Sequence, residues 1–371
     1  MSATTPKRLL EISNYPPPMC GWAMQTYLLV EEVRRRGHVC QVLKINEGRQ
    51  LKSPEYLDVQ NGFDYLLKVL RFAFKGYLLH VHVNGESPKG YLLALIAGVA
   101  GRLSFQPAAL TFHGGLPQTY FPHSSPKWRL GFRMLFKLAG EIVCNSEEIK
   151  QAIVGYGVSP DRVATIPGFS AQYMDFAPAT LALEIGQFLS DHGPVFLSYV
   201  SFRPEYRLEI LRTAMRSVAE RHPRAGFIWL GFPEKEMAGA RAFVDAWPKR
   251  ERASLLLLGN LAHDGFLTLL SRCTAFVRTP ACDGVSASVL ESLSLGVPVI
   301  ASENGRRPAG ILAYDEFDAE GLAARVEYLL SHYEEVKANC KPPLCDDNLA
   351  RTVDWLLGEA PAQVKAESVR A

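Results

Sequence analysis

Short apolar runs, too brief to be helices, alternate with longer amphipathic stretches along nearly the whole chain, in two consecutive series. Strands buried on both faces and joined through helices read this way in sequence. The pattern therefore predicts a doubly wound α/β protein. In the first series strands are expected at 8–13, 39–45, 78–83, 108–112, 141–144 and 163–166, with a helix over 23–36 closed by Gly37. In the second, strands are expected at 195–200, 227–230, 255–258, 275–278 and 298–301. Helices are expected there at 208–221, 288–295, 318–333 and 348–357. The pattern changes at 178–193, where 179–190 fits a helix broken by His192-Gly193-Pro194, and the segment reads as the interdomain linker. The expected organisation is an N-terminal Rossmann-like domain over 1–177 and a second over 194–340. The last helix falls within 345–358, and 359–371 is a polar tail expected to be disordered. Two such domains in tandem place a cleft between the carboxyl ends of their strands, where open α/β sheets bind ligands.

Composition narrows the classes. A length of 371 residues fits two domains, at about 100–200 residues each. With 48% hydrophobic and 21% charged residues the chain is an ordinary globular mix, which excludes disordered and collagen-like classes. A net charge of +2 argues against a general nucleic-acid binder. No run reaches the roughly 18 apolar residues that span a bilayer, and 91–101 reads as a buried helix. The N-terminus leads into a strand without a signal peptide's apolar core, so a cytoplasmic protein is expected. The 7 cysteines are scattered, with no Cys-x-x-Cys, and read as reduced thiols.

The most informative stretch is 277–301, which reads strand, loop, helix, glycine stop, strand. Asp283 lies in the loop, and Gly284 would let backbone approach a ligand closely. Val285, Ser286 and Ala287 are expected to open the helix, so that their amides are free donors at its positive end, a seat for a diphosphate. Glu291 follows one turn on. Two carboxylates flanking free amides can grip hydroxyls of a sugar and of a ribose. A generic helix start would account for Asp283 and the glycine, but not for Glu291 against the apolar continuation Leu293-Ser-Leu-Gly-Val-Pro-Val-Ile.

With these residues in place, the chain resembles the GT-B retaining glycosyltransferases of family 4. Their signature is an acidic residue, seven residues, then Glu, followed by a Gly-x-Pro-Val-Ile strand. Here it is Asp283, Glu291 and Gly296-Val-Pro-Val-Ile300, with Asp where the family usually has Glu. The resemblance implies that Glu291 binds the donor's ribose and Asp283 the donor-sugar hydroxyls. It implies that the 284–287 backbone binds sugar and phosphates, and that the last helix crosses back onto the N-terminal domain.

Other positions are read beside it. His113, in Thr111-Phe-His-Gly-Gly at a strand end, is a candidate sugar ligand or proton-handling group, and the family carries a matching His that contacts the donor sugar. His80 and His82 share a strand face with no third metal ligand at an evident spacing. Gly21 and Trp22 occupy the first βα loop, with Cys20-Gly21 in place of the family's glycine pair, and are assigned to the acceptor or donor-phosphate side. A departing diphosphate needs cationic stabilisation. Arg203 and Arg207, displaced from the family's usual positions, are the candidates, with Arg306-Arg307 in a later loop as a further source. No Asp-x-Asp occurs, so a metal-independent reaction without a cofactor is expected. Segments 64–78 and 127–138 each carry a basic stripe (Lys68, Arg71, Lys75; Arg129, Arg133, Lys137) on an apolar helix, which fits a membrane surface as well as a buried helix with one wet face.

The expected function is retaining transfer of a sugar from a nucleotide diphosphate sugar, a UDP-sugar, to a hydroxyl of a glycan or lipid-linked glycan. It is placed in cell-envelope polysaccharide synthesis, in the cytoplasm or at the inner membrane face. The alternatives are a GT-B nucleotide-sugar epimerase and a non-catalytic nucleotide-sugar-binding protein.

Overall fold

The computed structural model describes residues 6–116, 118–341 and 346–359. They form two compact units, one of residues 6–17, 22–172 and 346–359, the other of 18–21 and 173–341. The tail expected beyond 359, and Cys345, lie outside the described residues.

The first unit is a parallel sheet of β1 (Arg8–Ser13), β2 (Val39–Lys44), β3 (Leu78–Asn84), β4 (Ala109–His113), β5 (Ile142–Cys144) and β6 (Val163–Thr165), in the order β2-β1-β3-β4-β5-β6. Its crossovers include α1 (Gly21–Arg35), α2 (Gly62–Phe74), α3 (Pro88–Leu103), α4 (Pro126–Leu138) and α5 (Glu147–Val154). The helix starts are written locally. Asn61, Ser87, Ser125 and Ser146 each accept a first-turn amide, and proline opens α3 and α4.

The second unit is a parallel sheet of β7 (Val195–Tyr199), β8 (Gly226–Leu230), β9 (Leu255–Gly259), β10 (Ala275–Arg278), β11 (Val299–Ser302) and β12 (Leu312–Tyr314), in the order β12-β11-β10-β7-β8-β9. Its helices are α6 (Leu183–Asp191), α7 (Leu208–Arg221), α8 (Glu234–Asp245), α9 (Lys249–Ala253), α10 (His263–Leu270), α11 (Ala287–Ser294), α12 (Ala319–Ser331) and α13 (Tyr333–Ala338). The last helix, α14 (Asn348–Leu357), belongs to the first unit. It buries Leu349, Val353, Leu356 and Leu357 against Leu9, Val30, Val33 and Val42. Asp354 pairs with Arg36, and Asn348 Nδ2 donates to the Phe169 carbonyl at 2.7 Å.

Residues 178–193 hold the helix that 179–190 allowed for. This is α6, whose Ile185 joins the core under β7, while the Ala179 amide donates to Thr268 Oγ1 at 2.9 Å. Leu181, Ile185, Phe188 and Leu189 recur at helical spacing, and that stripe outweighs the turn residues around it. Strand β12, three residues at the sheet edge, is too short to carry a sequence pattern of its own.

The two sheets reverse their strand order at β1/β3 and at β7/β10. These are the points where a parallel sheet opens a crevice at its carboxyl end. The residues expected to act lie at those ends.

Candidate functional site

In the second unit, β10 ends at Arg278 and the chain loops through 279–286 into α11. Arg278 Nε donates to Asp283 Oδ2 at 2.8 Å, and its Nη1 donates to the Tyr199 carbonyl at 3.1 Å. It thus ties the ends of β10 and β7 together across the switch point. Arg307 Nη2 lies 3.2 Å from the other carboxylate oxygen and donates to the Pro280 carbonyl at 2.7 Å. Asn304 Nδ2 donates to the carbonyls of Asp283 and Gly284 at 2.8 and 3.1 Å. The loop is therefore held by a carboxylate between two guanidinium groups. Burial opposes the charge on both arginines. At Arg278 the adjacent Asp283 outweighs it and raises the pKa, whereas at Arg307 burial prevails and lowers it.

Helix α11 begins at Ala287, within one residue of the expected 288–295. Val285 is half exposed outside it, and Ser286 is the cap residue, whose carbonyl accepts from the amides of Val289 and Leu290 at 3.1 and 3.2 Å. Ser286 Oγ pairs with Ser288 Oγ at 2.9 Å and caps no amide. The first-turn amides of Ala287 and Ser288 thus have no partner within the helix. A Cβ on Gly284 would meet no atom within 4 Å, so the chain's own packing does not demand glycine there. The 18–21 segment lies at this helix start. Gly21 would bring a Cβ to 3.7 Å from Ala287 Cβ, and its carbonyl accepts from Tyr173 Oη at 3.3 Å.

Glu291 is buried, and its Oε1 is 2.8 Å from Nε2 of His263, the first residue of α10. Burial, and then the nearby Glu291 and Cys20, push the Tyr173 hydroxyl well above its ordinary range. Arg203 has a side chain 63% exposed, with Nε donating to Ser201 Oγ at 3.1 Å and Nη1 3.5 Å from Glu205. Arg207 is committed elsewhere. It pairs with Glu316 at 3.4 Å and lies 4.4 Å from the Phe317 ring centroid.

The other expected residues are in the first unit, at the ends of β1, β3 and β4. His113 Nε2 is 2.8 Å from His82 Nδ1, and the Trp22 ring lies 4.3 Å from that of His113. The Trp22 indole donates to Ser13 Oγ at 2.7 Å and to His82 Nδ1 at 3.1 Å. Beneath them sits Glu11, fully buried on β1. Its Oε1 is 2.6 Å from His80 Nδ1 and its Oε2 3.2 Å from His82 Nε2, while His80 Nε2 is 2.8 Å from Thr111 Oγ1. Burial opposes the Glu11 charge, but His80 and His82 outweigh it and bring the carboxyl to about 2. Burial, then His80, takes His82 down to about 4, and burial with both neighbours takes His113 well below the usual imidazole value.

The histidine pair thus has a third partner, which spacing could not reveal because it comes from a neighbouring strand 69 residues away. Among the described residues, Glu11, His80 and His82 also form a group with metal-ligating atoms within 4.8 Å of one another. Their separations do not fit zinc. Atoms bound to one tetrahedral zinc at about 2.0–2.1 Å lie roughly 3.3 Å apart, and the 2.6 Å between His80 and Glu11 is a hydrogen bond.

Sequence reasoning did not identify Glu11, His263, Asn304 or the pairing of Arg278 and Arg307 with Asp283. Glu11 did leave a signal, a lone acid inside the apolar run Leu9-Leu10-Glu11-Ile12.

Two parallel Rossmann-like units, each with polar groups at the switch point of its sheet, make up the GT-B architecture. Residues 21–169 match the family model described as Glycosyltransferase Family 4. Solved structures agree in fold. Anabaena Alr3699/HepE in complex with UDP-glucose is 14% identical, with 95% of this chain and 99% of that one covered at a TM-score of 0.67. A glycosyltransferase from Rickettsia africae is 15% identical, with 96% and 100% covered at 0.64. A UDP-N-acetylglucosamine 2-epimerase is 14% identical, with 95% and 96% covered at 0.63. No curated protein sequence matches the chain.

Proposed function

We propose that this chain is a retaining, metal-independent glycosyltransferase that moves a sugar from a UDP-sugar to a hydroxyl of a glycan or lipid-linked glycan. The observation that carries the reading is the β10–α11 loop. There the first-turn amides of Ala287 and Ser288 open a helix beside a fixed acidic loop at the sheet's carboxyl end. Such amides and the helix dipole favour a diphosphate. Asp283 and the 284–287 backbone take the donor sugar, and Glu291, oriented by His263, takes the ribose. Arg203, the more exposed of the two loop arginines, assists the departing diphosphate, while Arg207 shapes its loop through Glu316. His113 with Trp22, and Gly21, serve the sugar and acceptor side. The fold is shared with the UDP-glucose complex of HepE, which supports a uridine donor.

No helix among the described residues is long and apolar enough to cross a membrane. The acceptor is assigned to the inner face of the cell envelope. Exposed Phe63, Leu67 and Phe74 on or beside Arg71 and Lys75, and exposed Leu130 and Met134 beside Arg129 and Arg133, support surface contact there. Lys68 is not free for this role, since it pairs with Asp58 and Asp64.

The test is a thermal-shift screen of UDP, GDP, ADP and their sugar conjugates without added metal, on wild type and Glu291→Ala. At ~100 times its dissociation constant a ligand stabilises the fold by about 2.7 kcal/mol. A shift for uridine nucleotides, lost in the variant, is expected. No shift for any nucleotide would sink the reading. The fold shared with an epimerase supports one second reading, UDP-sugar epimerisation. A new UDP-sugar formed from UDP-N-acetylglucosamine with no acceptor present would establish it.

A further inference from the structure

The hydrogen-bond directions around His113 can be read outward from Glu11. An ionised carboxylate only accepts, so the proton shared with His80 sits on His80 Nδ1. Glu11 Oε2 and His82 Nε2 are both buried, have no other partner, and lie 3.2 Å apart. Neither atom has a hydrogen-bond partner of good geometry, and a proton on His82 Nε2 facing the carboxylate lowers the cost of burying both. The other side of the His82 ring agrees. An indole N–H only donates, and the Trp22 N–H, shared with Ser13 Oγ at 2.7 Å, also reaches His82 Nδ1 at 3.1 Å, which fits a lone pair on Nδ1. His113 Nε2, 2.8 Å from that lone pair, must then be the donor. Burial in this company disfavours a second proton on the ring. A neutral His113 protonated at Nε2 has a bare Nδ1, and that nitrogen makes no hydrogen bond among the described residues. His113 closes β4 at its carboxyl end and is followed by Gly114 in the left-handed region, at φ +101°.

We propose that Glu11, acting through His82, fixes His113 as a neutral hydrogen-bond acceptor, so that the ligand group it selects is a donor, a sugar hydroxyl or amide N–H, and not a phosphate oxygen. Glu11 and His82 are positioning residues, and His113 Nδ1 is the recognising atom. A cationic or Nδ1-protonated histidine at this strand end would make the opposite choice. Only the statement that the ligand is a sugar rests on the proposed transferase reading. The direction of the relay does not.

The experiment is long-range proton–nitrogen NMR of the histidine rings in the full chain, ¹⁵N-labelled, near pH 7. The rings are assigned by loss of their signals in His82→Gln and His113→Gln. Both rings are expected neutral with the proton on Nε2. A His113 ring that is charged, or protonated on Nδ1, overturns the proposal, and that outcome is read without any ligand. Binding of UDP and UDP-glucose is then compared in wild type and Glu11→Gln. Loss of the carboxylate should mix the two tautomers and weaken UDP-glucose by about tenfold, leaving UDP within about twofold. An equal loss for both ligands means damage to the fold and counts against the relay. Should neither ligand bind wild type, the transferase reading fails and the ring spectrum still decides the relay. If Glu11→Gln does not fold, Trp22→Phe replaces it. The Nε2 proton on His82 should persist there, and a mixed tautomer would show that Glu11 does not set it.

Discussion

Acidification from about pH 7 to 4.5 should destabilise the first unit by about 3 kcal/mol, and His82 supplies most of that figure. In the folded protein burial and His80 hold this imidazole at about 4, against 6.5 for a free histidine. The folded value lies below the unfolded one, so across this window the unfolded chain binds the extra proton and stability falls as pH falls. Two pH units below 6.5, at about 1.36 kcal/mol per unit, give the figure. His113, also displaced well downward, adds in the same direction. Glu11 acts in a lower window. Its carboxyl is at about 2 when folded and 4.5 when free, so its contribution is lost between those values. Because two units need not unfold together, the assay should report on one of them. Hydrogen exchange of the β1, β3 and β4 amides does so. After correction for intrinsic exchange, their opening free energy should fall steadily below pH 6.5, while the β7, β8 and β10 amides show a flatter dependence. A value for β1, β3 and β4 unchanged between pH 6.5 and 4.5 would overturn this account, since it would mean that these histidines are not buried as neutral rings.

Two further outcomes follow from the second unit. Asp283→Asn leaves the guanidinium groups of Arg278 and Arg307 buried without a carboxylate and should cost about 3 kcal/mol by chemical denaturation; unchanged stability would show that the two arginines have other compensation. Gly231→Ala should cost about 2–4 kcal/mol, because residue 231 has φ +99° and an added Cβ would overlap the Tyr199 ring. The same assay reads it, and a variant as stable as wild type would contradict the packing of Tyr199 against that turn.

Much of the fold was legible in advance. The strands at 8–13 and 275–278 and the helices at 208–221 and 348–357 lie where the apolar pattern puts them. What was not legible shares a physical cause. Apart from Arg278 and Asp283, which are five positions apart, the missed contacts join residues far apart in the chain. His263 meets Glu291 across 28 positions, Arg307 reaches Asp283 from the next loop, and Glu11 meets His80 across 69.

The α/β class, the two strand series, the caps at Asn61, Ser87, Ser125 and Ser146, and the acid–seven–Glu spacing of 283 and 291 were all written in the amino-acid order. They follow from local rules, in which burial period and backbone capping act over a few residues. The partners, and through them the charge states, came only with folding in three dimensions. Folding placed Asp283 between two arginines, set Glu291 on His263, and buried Glu11 beneath a pair of histidines. Desolvation and Coulomb interaction depend on distance in space, which parallel strand order rearranges freely relative to distance along the chain.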